Sequence, residues 1–186
     1  MSTSSTFTLS GAGNSRALPP RDEVPGFVAT PDFTAFGRRA VVFTMGVRVF
    51  STGVEIRFEI RFPATEELSA EFAESLAALV RDDRRQDPDR LRVSLRYADG
   101  RVAANHGPHP AVPVGSEDQE PAPFMTRSGA PATFGRLTEF SYWICPVPRH
   151  ADAVLSIAWP ALDLDPVDWE LDHRAVEAAF GRVHRI

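Results

Sequence analysis

The chain contains one cysteine and no lysine. The single cysteine excludes a protein that is stabilised by disulfides within the chain. Cys145 is the single cysteine among 186 residues, so no disulfide can form within the chain. We therefore expect a protein of a reducing compartment and predict the cytoplasm. A catalytic thiolate needs an exposed, electropositive setting, whereas Cys145 follows the apolar run Tyr142–Ile144. The sequence thus predicts a buried, structural thiol.

Clustered positive charge and long apolar runs are also missing. All 20 basic residues are arginine, they are scattered among 25 acidic residues, and the net charge is −5. Nucleic-acid binding needs a basic patch, so we predict no nucleic-acid partner. The apolar runs fall far short of the roughly 20 residues of a membrane helix, and the N-terminus lacks the basic segment of a signal peptide. We therefore predict no membrane association.

Motifs for nucleophilic catalysis and for nucleotide binding are absent from the sequence. No G-x-S-x-G surrounds Ser141 or Ser156, the serines that could be combined with His150 and Asp152. The glycines near residue 12 follow no predicted strand, which a dinucleotide-binding motif requires. We accordingly lean towards a protein that is not an enzyme, and we predict no cofactor.

A long β-hairpin is the clearest pattern in the chain. Apolar and polar residues alternate over residues 39–50 and 53–62, on either side of a turn at Ser51–Gly53. This period of two is typical of strands with one buried face. The charged residues from Glu55 to Arg61 are predicted to face water. The predicted inward faces consist of Val41, Phe43, Met45, Val47 and Val49 on the first strand, and Val54, Ile56, Phe58, Ile60 and Phe62 on the second.

Further elements follow the hairpin. Thr65 and the acidic pair behind it form an N-cap signature, and apolar residues at helical spacing predict an amphipathic helix over residues 65–80. Alternation predicts a strand over residues 91–97, with a turn at Gly100 and a return strand. Residues 140–145 and 154–159 predict two more strands. The chain then ends in a helix that begins at Asp165 or at Asp172.

Composition divides the chain into a tail and one domain. Residues 1–24 are rich in Ser, Thr, Gly and Pro and predict a mobile tail, while residues 25–186 form a single domain. Within it, the proline-rich, acidic segment 107–134 predicts a disordered loop or a binding arm.

The order of the elements predicts the fold class. Six or seven strands joined by short turns favour a mainly β, antiparallel β-sandwich of the immunoglobulin-like type, with one inserted helix and a C-terminal helix. The alternative is an α+β roll, in which a single curved sheet is covered by the two helices.

Few residues are candidates for a site. His106 and His109 could share a metal ion, but the Gly-Pro between them sets no geometry, so we predict no metal. Asn105 lies beside them at a strand end, and we predict that Asn105, His106 and His109 contact a partner. Trp169 is predicted to lie at the start of the last helix and to be the tryptophan most able to contact a partner, while the other two are predicted to be buried.

Several short motifs lie within residues 24–62 and 91–184. They are Val47-Arg48-Val49-Phe50, Gly53-Val54-Glu55, Tyr97-Ala98-Asp99-Gly100-Arg101, Ala158-Trp159-Pro160-Ala161, and Glu170-Leu171-Asp172 before a closing helix. Together they resemble a family of uncharacterised actinobacterial proteins. The resemblance implies a cytoplasmic, bacterial, β-rich domain, and it implies no activity or catalytic residues.

These observations predict a non-enzymatic, cytoplasmic β-sandwich that acts through contact with another protein. Two alternatives stay open. A carbohydrate or small-ligand binding module would place exposed Trp or Tyr side chains on a concave face. A metal-dependent hydrolase would bring His106, His109 and a carboxylate within about 5 Å of one another, because metal–ligand distances are near 2 Å.

Overall fold

The computed structural model describes residues 17–29, 33–63, 89–106 and 122–186. The predicted helix over residues 65–80 and the greater part of the predicted tail lie outside the described residues. The described residues form thirteen strands and one α-helix, so the protein is mainly β, as predicted. Nowhere in these four ranges is a helix both long enough and apolar enough to cross a membrane.

The strands form three antiparallel sheets. A small sheet pairs β1 (Glu23–Val24) with β13 (His184–Arg185). A four-strand sheet contains β6 (Arg92–Arg96), β7 (Val102–Ala104), β11 (Ala153–Trp159) and β12 (Leu164–Leu171), in the order β12-β11-β6-β7.

The seven-strand sheet is built around the predicted hairpin. Its members are β2 (Gly26–Val28), β3 (Thr34–Phe36), β4 (Val41–Val49), β5 (Val54–Arg61), β8 (Phe124–Arg127), β9 (Ala132–Phe134) and β10 (Leu137–Cys145). The central order is β2-β4-β5-β10-β8, while β3 also pairs with β4 and β9 with β10. The hairpin is therefore in the middle of this sheet.

The two larger sheets bury one common core. Ile56 and Phe58 of the seven-strand sheet share it with Leu155 and Ile157 of the four-strand sheet, and all four are fully buried. This arrangement confirms the antiparallel, sandwich-like architecture. The immunoglobulin-like type stays a prediction.

A β-bulge in β4 changes which of its residues face the core. The pairing with β5 shifts between Thr44 and Gly46, which leaves Met45 as an extra residue. One extra residue reverses the inward and outward sides of a strand. Val47 and Val49 are buried as predicted, but the predicted inward positions of Val41, Phe43 and Met45 are wrong.

Gly46 makes the bulge possible. Its φ of 131° lies in a region that residues with a side chain rarely adopt. A Cβ atom at this position would also lie only 2.4 Å from the ring of Phe27. The backbone conformation therefore requires glycine, and the exposed ring of Phe27 would also have to move to admit a side chain.

The charged face of β5 differs from the prediction as well. Glu55 and Glu59 are 7% and 3% exposed, although their alternation with arginine predicts a solvated surface. Glu55 accepts hydrogen bonds from Arg48 (3.2 Å) and Ser128 (2.5 Å), and Glu59 pairs with the side chain of Arg61. A buried carboxylate is tolerated when it is paired and hydrogen-bonded in this way.

The segment 107–134 contains two strands that the sequence did not predict. β8 and β9 occupy residues 124–127 and 132–134 and flank β10 on the same side. The predicted loop is therefore wrong for residues 122–134, and residues 107–121 lie outside the described part. Strands this short carry too few residues for a period of two to show.

The C-terminal helix, α1 (His173–Phe180), begins at the second of the two predicted caps. The side chain of Asp172 accepts a hydrogen bond from the backbone N–H of Arg174 at 2.9 Å. The alternative start at Asp165 is wrong, because β12 runs from Leu164 to Leu171. Trp169 therefore lies in a strand and not at the start of a helix.

Candidate functional site

Three loops meet at one end of the sandwich. The β4–β5 turn and the end of β10 are neighbours, because Val54 pairs with both Val49 and Ile144. The β10–β11 connection then crosses to the other sheet, where Val154 pairs with Arg96 beside the β6–β7 turn. Loops gathered on a rigid scaffold are a common location for binding sites.

These loops enclose a cleft of about 440 Å³, which we call the end cleft. Small-molecule sites commonly measure 300–1,000 Å³, so the end cleft is of the right size for one. Its wall is built from three short segments: Ser51 and Thr52; Tyr97, Ala98, Asp99 and Arg101; and Cys145 to Ala151.

Two of the walls are joined by a partly buried hydrogen bond. The hydroxyl of Tyr97 donates to the carbonyl oxygen of Pro146 at 2.7 Å, which ties the β6–β7 turn to the β10–β11 connection. Burial and, after it, the nearby Cys145 raise the pKa of Tyr97 well above its usual value. The phenol therefore stays protonated and keeps donating this bond.

The third wall is held by the N-terminal strand β1. Glu23 is buried and accepts hydrogen bonds from the backbone N–H of Ser51 (2.9 Å) and from its hydroxyl (2.5 Å). Arg185 of β13 approaches the same carboxylate at 4.0 Å. Residues from both ends of the described chain thus fix the turn that lines the end cleft.

The charges around the end cleft are unequally matched. Asp99 and Arg101 form an ion pair at 2.6 Å. The backbone N–H of Arg101 donates to the Asp99 carboxylate and, with the guanidinium, lowers the pKa of Asp99, so both members of the pair are charged at neutral pH. The guanidinium of Arg149 lies 4.0 Å from the centre of the Phe180 ring and forms no ion pair with a described residue. Among the described residues that line the cleft, the positive charge of Arg149 is therefore left without an opposite charge.

A hydroxyl group beside the end cleft also lacks a partner. Thr52 Oγ1 is buried and makes no hydrogen bond with any residue in the described ranges. An unsatisfied buried hydroxyl costs about 1–3 kcal/mol.

Asn105 is a structural residue and is not available to a partner. Its side chain is 1% exposed; its Oδ1 accepts from the backbone N–H of Val93 (2.8 Å), and its Nδ2 donates to Leu91 O (3.1 Å) and to the Tyr142 hydroxyl (2.7 Å). The side-chain amide of Asn105 thus extends the hydrogen-bond ladder between β6 and β7, in the place of a backbone peptide group. The prediction that Asn105 binds a partner is therefore wrong in this conformation.

The other candidates are placed apart from the end cleft. His106 is exposed, and partial desolvation together with Arg92 and Arg90 lowers its pKa. Its predicted neighbour His109 lies outside the described residues, so a shared metal ion stays untested. Trp169 is half-buried, with its ring 5.8 Å from that of Phe33.

The tryptophans do not form a sugar-binding surface in the described structure. Trp143 and Trp159 are fully buried, as predicted, and no described tryptophan lines the end cleft. Tyr97, which does line it, is itself mostly buried. The stacking platform typical of a carbohydrate site is therefore not seen in the described ranges.

Asp152, Asp172 and His173 form the one group in the described residues whose donor atoms lie close enough to hold a metal ion. Those atoms already have partners. Asp152 accepts from both the backbone N–H (2.9 Å) and the ring Nδ1 (2.7 Å) of His173, and Asp172 caps α1. The group is thus a helix cap that fastens α1 to the start of β11.

This cap makes stability depend on pH. The backbone N–H and then the ring of His173 lower the pKa of Asp152, so its ionised form stabilises the folded state above about pH 4. The contribution is lost as the pH falls through the lowered pKa. We expect denaturant titrations to show that Asp152→Asn is less stable than the wild type at pH 6, and that this difference shrinks as the pH falls below about 4.

Asp165→Asn is the matched control, because Asp165 is exposed on β12 and has no part in the cap. It should differ little from the wild type across this pH range. An Asp152→Asn deficit that persists unchanged at low pH would contradict the assignment.

The end cleft could not be found from the sequence, although two of its loops were predicted as turns and the third lies between two predicted strands. The sequence does not show that these loops meet, because their meeting depends on how the two sheets are joined. The signal that existed was weak: Arg101, Arg149 and His150 lie in turns at the ends of predicted strands.

No protein-family model matches the chain, and neither the curated proteins nor the solved structures contain a match. The resemblance of its short motifs to actinobacterial proteins therefore stays a prediction, and the function has to be argued from the site itself.

Proposed function

We propose that this protein is a non-enzymatic, cytoplasmic binding module that holds a small ligand in the end cleft. The observation that carries the proposal is the cleft itself. It has the volume of a small-molecule site, and its three walls are fixed by the Tyr97–Pro146 and Glu23–Ser51 hydrogen bonds. A site that is formed before the ligand arrives loses less entropy on binding.

The serines that could act as nucleophiles support binding over catalysis. Ser141 donates to the carbonyl of Ser128 at 2.7 Å, and Ser156 donates to Asp168 at 2.5 Å. Both hydroxyls are thus directed to acceptors other than His150. Cys145 is 1% exposed, as predicted for a structural thiol, and its burial supports a cytoplasmic protein without disulfides.

Filling the end cleft should abolish ligand binding without unfolding the protein. Ala98 is exposed and lines the cleft, so Ala98→Trp should occupy its volume at a cost of about 0.5 kcal/mol or less. We expect a library of small fragments, titrated into ¹⁵N-labelled protein, to shift the amide signals of the cleft walls in the wild type only.

Ala178→Trp is the control, because Ala178 is exposed on α1 and does not line the end cleft. It should bind fragments as the wild type does. Fragments that bind Ala98→Trp equally well, or a wild type that binds none of the library, would overturn the proposal.

Contact with another protein is the second candidate, and one surface favours it. The outer side of the seven-strand sheet carries exposed Phe27, Phe36 and Met45 beside partly buried Val41 and Phe43. Phe36 alone is 75% exposed. Contiguous apolar surface of this kind is typical of protein interfaces.

A photo-crosslinking residue in place of Phe36 tests this second candidate. We expect it to capture a protein in the cell, and the same residue in place of Val102 should capture none. Val102 is a suitable control because it is exposed on the other sheet, at the edge strand β7. Equal labelling at both positions would mean that the apolar surface has no specific partner.

A further inference from the structure

The geometry points to a defined class of ligand for the end cleft: a small organic acid, with an apolar body and a carboxylate or phosphate group that Arg149 binds. This inference rests on the proposed binding function and adds the chemistry of the ligand. It follows from the charge, the position of Arg149 and the composition of the walls.

The charged groups in the wall of the end cleft favour an anionic ligand. Of the three fully ionised groups in the wall, Asp99 and Arg101 neutralise each other as an ion pair at 2.6 Å. Arg149 remains, and it forms no ion pair with a carboxylate of the described ranges. A cation in a partly enclosed site is stabilised by an anionic ligand, because interactions there are screened less than at the open surface.

The position of Arg149 favours a ligand with a carboxylate or phosphate group. Its guanidinium lies 4.0 Å from the centre of the Phe180 ring, so α1 holds the planar group in one place. A guanidinium that rests on a ring keeps its N–H groups directed outward along its edge. That edge matches the paired oxygens of a carboxylate or phosphate and forms two parallel hydrogen bonds with them.

The rest of the wall favours a ligand with an apolar body. Pro146, Val147 and Pro148 line one side of the end cleft, and Ala98 and Ala151 line the space next to them. These side chains offer apolar contact and no hydrogen bonds. A simple inorganic anion would leave this part of the cleft wet, whereas an organic acid places its acid group on Arg149 and its body against the apolar wall.

Benzoate, phenyl phosphate and benzamide separate these possibilities, because benzamide has the shape of benzoate without its charge. Each is titrated into the full-length ¹⁵N-labelled protein, and the amide and arginine Nε–Hε signals are followed. We expect benzoate or phenyl phosphate to bind at the end cleft at least tenfold more tightly than benzamide, and to shift the Arg149 side-chain signal.

Two arginine variants locate the selectivity. Arg149→Gln should reduce the affinity for the acid to that for benzamide, while Arg174→Gln, which removes the same charge from an exposed position on α1, should leave it unchanged. The comparison of benzoate with benzamide needs only the wild type, so it decides the question even if Arg149→Gln does not fold.

The outcomes distinguish this inference from the function on which it rests. Equal binding of benzoate and benzamide in the end cleft would overturn the ligand class and leave a binding module in place. Acid binding that survives Arg149→Gln unchanged, with the variant folded, would also overturn it. If inorganic phosphate bound as tightly as phenyl phosphate, the inference that the ligand has an apolar body would be overturned.

Discussion

Replacing Phe58 with alanine is expected to lower the free energy of unfolding by about 3–5 kcal/mol. The ring is fully buried between the two sheets, stacked on Phe140 with centroids 5.1 Å apart and edge-on to Tyr142 at 6.4 Å. Removing it eliminates these contacts and leaves a cavity that the paired strands on both sides cannot close. Denaturant titration followed by circular dichroism measures the loss.

Phe36→Ala is the matched control for this experiment. It deletes the same ring from a position that is 75% exposed, so the expected change is within about 0.5 kcal/mol. A loss below about 1 kcal/mol at Phe58 would mean that the inward side of β5 has been assigned to the wrong residues.

Asn105→Ala is expected to destabilise the protein by about 2–4 kcal/mol. The substitution leaves the backbone N–H of Val93 and the carbonyl of Leu91 buried without the partners that the side-chain amide provides. It also removes the shorter of two hydrogen bonds that the Tyr142 hydroxyl accepts, the other being from Arg127, and so it loosens the contact between the two sheets.

Two further variants test that explanation. Asn105→Asp keeps the acceptor for Val93 and removes both donors, so it should also be destabilised. His106→Ala alters the exposed neighbour and should change stability by about 0.5 kcal/mol or less. If Asn105→Ala proved as harmless as His106→Ala, the amide would be free to act in binding, as the sequence had predicted.

The errors in the predicted strands have local physical causes. In β4 every second residue from Val41 to Val49 is apolar, so the alternation shows no break at Met45, where a bulge of one residue moves the inward side. In β12 the Asp165-Pro166 pair resembled a helix start, although Val167, Trp169 and Leu171 alternate with acidic residues as a strand requires.

Asn105 was misjudged for a different reason. Asn105 and the histidines beside it were considered because polar residues at a strand end often form sites, but the same residue type also completes a β-ladder. Which of the two applies depends on what lies opposite, and for Asn105 these groups are Tyr142 and the backbone of β6. Neither can be read from the neighbouring sequence.

The sequence by itself determined that this chain forms antiparallel hairpins and ends in a helix that begins at Asp165 or Asp172, because periodicity, turn residues and caps act over a few neighbouring positions. Only the tertiary structure decided where those hairpins meet. The end cleft exists because the β10–β11 connection crosses from one sheet to the other and brings Arg149 beside Tyr97 and Ser51. Contacts between residues so far apart in the chain depend on the packing of whole sheets, and no local pattern records them.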